Sequence, residues 1–286
     1  MPMITSADGT RLYYEEVGRG TPIVFIHEFA GDYRTWEPQL RHFARAHRCV
    51  TFSARGYPPS DVPGDPARYG QDIARGDVIA IMDALGIEKA HAVGHSMGAY
   101  TALHVGIRHP ERCISVTAAG CGWGSAADAA VRAAMRKVAT ETAAMFTEKA
   151  IAEAAAIYAD GPTRQPQKHK DPRGYAEFAR MLAEHSAQGQ ALTMSTLQAK
   201  RPTLWDMEAD LKQFAVPLLV IVGDEDETCL EGSLFLKRTV PTAALAVIPR
   251  SGHTITSEEP AAVNAALADL FAAAEAGRWL AHRPST

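Results

Sequence analysis

Residues 91–110 read HAVGHSMGAYTALHVGIRHP. A strand-like run, HAVG, leads into Gly94-His95-Ser96-Met97-Gly98, and the helix-like run AYTALHVGIRHP leads out. The pattern G-x-S-x-G between a strand and a helix demands a turn too sharp for bulky flanking residues, and it forces the central residue into a strained conformation. Ser96 is thereby expected with its hydroxyl lifted above a sheet, at the positive end of a helix. The five-residue pattern is weak alone; the strand before it and the helix after it make it specific. The bland alternative is a serine that merely caps a helix.

On either side of this stretch, β-rich runs alternate with amphipathic ones. Strand patterns fall at 11–15, 22–27 (PIVFIH), 49–52, 90–94, 114–117, 217–222 and 245–248. Helical patterns fall at 37–46, 72–85, 97–108 and 260–274. Continuous apolar strands alternating with helices predict a parallel sheet covered on both faces, with ligands beyond the carboxyl ends of its strands. The alternation stops between about 121 and 200. Residues 121–160 hold 15 alanines, and bulky residues such as Met135, Met145, Phe146, Ile151 and Tyr158 give the stretch a face to bury. A helical insertion is expected there rather than a disordered linker, with a Gly/Pro/Lys-rich break at 161–172 and helices near 174–185 and 190–200.

Composition narrows the field. The 286 residues are 47% hydrophobic and 22% charged, enough to bury a large core. A net charge of −4 offers no broad cationic field for nucleic acid or an anionic membrane. Cys49, Cys113, Cys121 and Cys229 have neither CxxC nor metal-ligand spacing and read as reduced thiols. The first ten residues lack the signature of a secretory signal, and the purest apolar run, 218–222, is too short to span a bilayer. The expectation is a cytoplasmic protein whose partner is a small molecule.

The elbow and its surroundings resemble the α/β-hydrolase family, serine-nucleophile esterase and lactonase branch, over nearly the whole chain. The resemblance implies an eight-stranded, mostly parallel sheet flanked by helices. The core would be residues 1–120 and 201–286, and the helical cap residues 121–200. It also implies a chain order of serine, acid, histidine. Gly223-Asp224-Glu225-Asp226, after the strand VPLLVIV, matches the family's G-x-x-D and carries the acid to Asp226, with Asp224 as the local rival. His253 in Ser251-Gly252-His253 matches the family's G-H turn, 27 residues beyond Asp226. Such a set transfers protons: neutral histidine takes the serine proton, and the carboxylate orients the ring and stabilises the imidazolium.

By the same resemblance the amides of Met97 and Phe29 would form an oxyanion hole, and His27 would brace the loop that carries Phe29. That loop departs from the family pattern. Where the family reads H-G-x, this chain has His27-Glu28-Phe29. Glu28 is expected to turn its carboxylate away from the oxyanion and to bind backbone or an arginine, with Arg55 as the candidate. Residues 53–61 (SARGYPPSD) resemble the family's D-x-R-G-x-G-x-S loop, with Ser53 and Pro59 replacing an aspartate and a glycine. Trp123 is the foremost aromatic candidate for the substrate pocket, with Trp36 and Trp205 behind it.

The chemistry this implies is hydrolysis of a carboxylic ester, then of a lactone or thioester, with a small acyl compound as substrate and no metal or organic cofactor. A serine nucleophile argues against the carboxylate-nucleophile branches of the family. Carbon–carbon bond hydrolases commonly carry Trp after the histidine, where this chain has Thr254. Cofactor-free perhydrolysis shares the same three residues. A noncatalytic receptor on the same scaffold is the alternative from another class.

Overall fold

The structure, a computed structural model, describes residues 1–281. Eight strands form one sheet: β1 Met3–Thr5, β2 Arg11–Val17, β3 Thr21–Ile26, β4 His47–Phe52, β5 Ala90–His95, β6 Cys113–Ala119, β7 Leu218–Gly223 and β8 Ala243–Ile248. Their order is β1-β2-β4-β3-β5-β6-β7-β8. β1 and β2 pair antiparallel at one edge, and every other pairing is parallel. The expected fold class is therefore the observed one. β1 and the helix Glu227–Thr239 add elements that the apolar patterning did not announce.

The period-two rule sorts the sheet's side chains into two cores. Val24 and Ile26 of β3 face one way with Val50 and Phe52, under the helices Gln71–Ala84 and Met97–Arg108. Ile23 and Phe25 face the other way with Cys49, Ile221 and the helix Pro260–Glu275. Both faces are covered, so the central strand β5 is buried at all six positions. From β3 the chain runs to β4 on one side, then returns to place β5 on the other. The strand order thus reverses between β3 and β5, which opens a crevice beyond their carboxyl ends.

The insertion between β6 and β7 is helical, with Ala129–Glu148, Ile151–Ala159, Gln165–Lys170, Pro172–Ala183 and Ala187–Leu192 as its main pieces. Asp128 caps the first of these, accepting from the Ala130 and Val131 amides. The expected break at 161–172 is itself largely helical. Pro162, Pro166 and Pro172 each sit in a first helical turn, where no donor is lost, so they start turns instead of ending them. Ala139, Ala143, Phe146, Phe178 and Leu182 form a third core, which closes onto Phe29, Tyr57 and Met97 of the sheet portion.

Candidate functional site

The elbow forms at the crevice. Ser96 has φ 52° and ψ −109°, one of two non-glycine residues with positive φ among those described. A Cβ on Gly94 would lie 2.1 Å from the Gly98 carbonyl oxygen, and one on Gly98 would lie 2.0 Å from that of Ile26. Both flanking glycines are therefore compulsory. Such a backbone costs about 1–3 kcal/mol. It is held by the Ser96 amide donating to Ala119 O at 2.8 Å and by the Ala99 and Tyr100 amides donating to Ser96 O.

Three side chains predicted from distant parts of the sequence meet here. His253 Nε2 lies 2.8 Å from Ser96 Oγ, and His253 Nδ1 lies 2.7 Å from Asp226 Oδ2. Asp226 closes the turn after β7, is 1% exposed, and also accepts from Thr228 Oγ1 at 3.1 Å. Its rival Asp224 is exposed and accepts from the Ser251 amide at 3.2 Å. The acid beside His253 is Asp226.

Burial opposes charge on both partners, and their contact outweighs it. Desolvation alone would push the His253 pKa down, but the Asp226 carboxylate beside it leaves the net shift upward. Desolvation would likewise raise Asp226, and the imidazole leaves it lowered. His95 ends β5, and burial drives its pKa down to about 4, so the ring is neutral. Its Nε2 meets the His253 carbonyl at 2.7 Å, which fixes that loop from beneath. This bracing contact had no signal in spacing.

His27 sits just past the end of β3. Its Nδ1 meets Glu28 O at 2.6 Å and its Nε2 accepts from the Ala54 amide at 2.9 Å. The Phe29 and Met97 amides have no acceptor within the protein among the described residues, so both are free to donate to a ligand. Glu28 does not meet Arg55. Arg55 is taken by Asp77 and Asp8 at the sheet edge. Glu28 instead forms a two-bond pair with Arg164 from the helical insertion. Nη1 donates to Oε1 at 2.8 Å, Nη2 donates to Oε2, and both side chains are buried. Burial would raise the Glu28 pKa, but the guanidinium brings it to about 2. Glu28 lines a separate 440 Å³ cavity and not the one at Ser96.

The cavity at Ser96 holds 330 Å³ and is walled by Phe29, Trp123, Met145, Tyr158 and Met194, with His253 and Ser96 exposed to it. Trp36 packs on Phe25 with centroids 5.0 Å apart, and Trp205 stacks on Phe235 at 4.3 Å, so neither lines this cavity. Two pocket residues, Met194 and Gln198, come from Thr193–Gln198, inside the helix expected at 190–200; the π-helical form of this turn had no sequence signal. The four cysteines are free and buried. One of them, Cys229, stands with Asp226 and His253 as the one group of potential metal ligands among the described residues. Burial pushes its thiol well above the usual range, and His253 Nδ1 is already bonded to Asp226, so the set is suited to holding protons more than a cation.

A sequence profile described as alpha/beta hydrolase fold matches residues 21–260. Among curated proteins, the chain is 29% identical to 3-oxoadipate enol-lactonase 1 of Acinetobacter baylyi, covering 90% of this chain and 92% of that one. It is 28% identical to a putative carbamate hydrolase, RutD, of Azorhizobium caulinodans, covering 92% and 96%. Among solved structures, a thermophilic esterase from Thermogutta terrifontis superposes with a TM-score of 0.83 at 22% identity, covering 96% of this chain and 98% of that one. With the reversed strand order, the strained serine elbow and a match over most of the length, this chain belongs to the alpha/beta hydrolase fold family.

Proposed function

We propose that the protein is a serine hydrolase that cleaves carboxylic esters or lactones through an acyl-enzyme. The observation that carries this reading is the continuous hydrogen-bonded line from Ser96 Oγ through His253 to buried Asp226, at the floor of a mostly apolar cavity. Ser96 Oγ attacks the carbonyl carbon as His253 Nε2 takes its proton, and the carbonyl oxygen becomes an oxyanion. The free amides of Met97 and Phe29 are the donors available to it. Collapse breaks the bond to the alkoxy oxygen, which receives the proton from His253. In a lactone that oxygen stays tethered to the acyl group. Water, deprotonated by His253, then attacks the acyl-enzyme and returns Ser96 and the free acid.

The relatives named for ester, lactone and carbamate cleavage support the same class of bond. The test is turnover of p-nitrophenyl esters of graded chain length, together with labelling by a fluorophosphonate. Wild type is expected to hydrolyse at least one ester and to be labelled at Ser96. Ser96→Ala should fold, resist labelling and lose several orders of magnitude in rate. Near-native turnover by Ser96→Ala would remove the serine from the mechanism. Absence of both turnover and labelling in wild type would favour a binding protein on the same scaffold.

A further inference from the structure

Among the described residues, three arginines are more than nine-tenths buried: Arg55, Arg164 and Arg201. Arg55 is neutralised by Asp77 and Asp8, and Arg164 by Glu28. Arg201 has no carboxylate partner among the described residues. Its guanidinium lies 3.6 Å over the Tyr100 ring and Nη2 donates to Trp123 O at 2.7 Å, but Nη1 has no acceptor. A buried cation without a counter-charge is unfavourable, and in a folded protein it calls for an anion.

Its surroundings say where that anion belongs. Arg201 follows the π-helical turn Thr193–Gln198, and such turns concentrate at functional sites. A small cleft of about 10 Å³ is lined by Arg201, Arg136, Trp123, Met135 and Gln198. The last three also line the Ser96 cavity, so the two spaces share a wall. No carboxylate lines either one. Arg201 and Arg136 therefore stand behind Trp123, Met135 and Gln198, across the wall that the cleft shares with the mostly apolar Ser96 cavity.

We propose that Arg201, with Gln198 beside it, binds a carboxylate carried by the substrate at the end remote from the ester or lactone group. This deepens the hydrolase reading and rests on it. Met135, unbranched and flexible, is the wall that yields to admit the carboxylate. The guanidinium then gains the planar two-oxygen acceptor that its fork geometry fits. The protein would accordingly act on monoesters or lactones derived from dicarboxylic acids, with an apolar spacer between the two ends.

The test compares mono-p-nitrophenyl esters of adipic to suberic acid with the same esters methylated at the far carboxyl. Wild type is expected to favour the best anionic ester at least tenfold in kcat/KM, mainly through KM. Arg201→Met should reduce that ratio at least tenfold, and Arg201→Lys should restore part of it. An equal loss on charged and neutral esters would make Arg201 a packing residue for Tyr100 and overturn the proposal. So would a wild-type enzyme with no preference, a result that needs no variant to fold. The free dicarboxylates give a second readout by calorimetry: binding to wild type that Arg201→Met abolishes is expected, and no binding overturns the proposal. Arg201 also borders an outer 550 Å³ groove with Lys200 and Asp72. Dicarboxylate inhibition noncompetitive with a neutral ester would put the anion in that groove and reject the assignment. If no ester is turned over and Ser96 is not labelled, the hydrolase reading fails, while calorimetry still decides whether Arg201 binds a carboxylate.

Discussion

Asp224 and Asp226 stand two residues apart in one turn, and only burial and direction separate them. Asp224 is exposed on a backbone amide, whereas Asp226 is sealed against the imidazole. Asp226→Asn should lower kcat by a factor on the order of 10⁴, since asparagine neither stabilises the imidazolium nor enforces its tautomer. Asp224→Asn should cost far less, and the reverse ranking on folded variants would move the acid to Asp224. A second consequence concerns pH. In the proposed mechanism His253 must be neutral to accept the serine proton, and its pKa is shifted upward from the ordinary 6.5. The acid limb of kcat/KM should therefore have its midpoint above 6.5, with activity falling as pH drops through it. A midpoint below 6.5 would show that burial, not Asp226, controls the ring. Ser96, Asp226 and His253 were legible because each sits in a short motif beside a strand. Glu28 was legible as an anomaly, but its partner was not. Arg164 lies 136 residues away in a stretch with no motif, and Arg55 was merely the nearest arginine in a recognisable loop.

One short element of the insertion reaches both working loops. The turn Pro162–Arg164 offers Thr163 O to the His253 amide at 3.3 Å and pairs Arg164 with Glu28. Farther along the insertion, Gln190 Nε2 reaches Phe29 O at 3.4 Å. The helices that wall the cavity are thus tied to the histidine loop and to the loop bearing the Phe29 amide. Their own cohesion is weaker. The helix Ala129–Glu148 buries only Ala139, Ala143 and Phe146 over its 20 residues. Alanine faces bury little apolar area, at roughly 25 cal/mol per Å², so local opening should be easier there than in the sheet. Amide exchange is expected to be faster across Ala129–Glu148 than at Val93 or Val220, and uniformly slow exchange would reject a mobile lid. The alanine run announced helix through propensity, whereas prolines were read as breaks. Proline's meaning depends on where a turn begins, which the sequence leaves open until packing selects it.

The Glu28–Arg164 pair links the sheet portion to the helical insertion through two buried charges. A buried pair of this kind is weak evidence for net stability, but losing one partner leaves the other charge stranded, at a cost of about 3–5 kcal/mol. The pH dependence has a definite sign. The folded-state pKa of Glu28 is about 2, against an ordinary value of 4.5. The bonus from its ionised form is therefore fully present above 4.5 and is lost as pH falls towards and through about 2. Glu28→Gln should lower unfolding stability by a few kcal/mol near pH 6, and its stability should fall less steeply than wild type between pH 4.5 and 2. Urea unfolding at several pH values measures both, and comparison with the variant cancels the titration of the other carboxylates. Parallel curves would mean that Glu28 is not held ionised by Arg164. Because the same residue carries the Phe29 loop, Glu28→Gln should also lower kcat. An increase in kcat would instead mean that the carboxylate faces the reacting group and opposes the oxyanion.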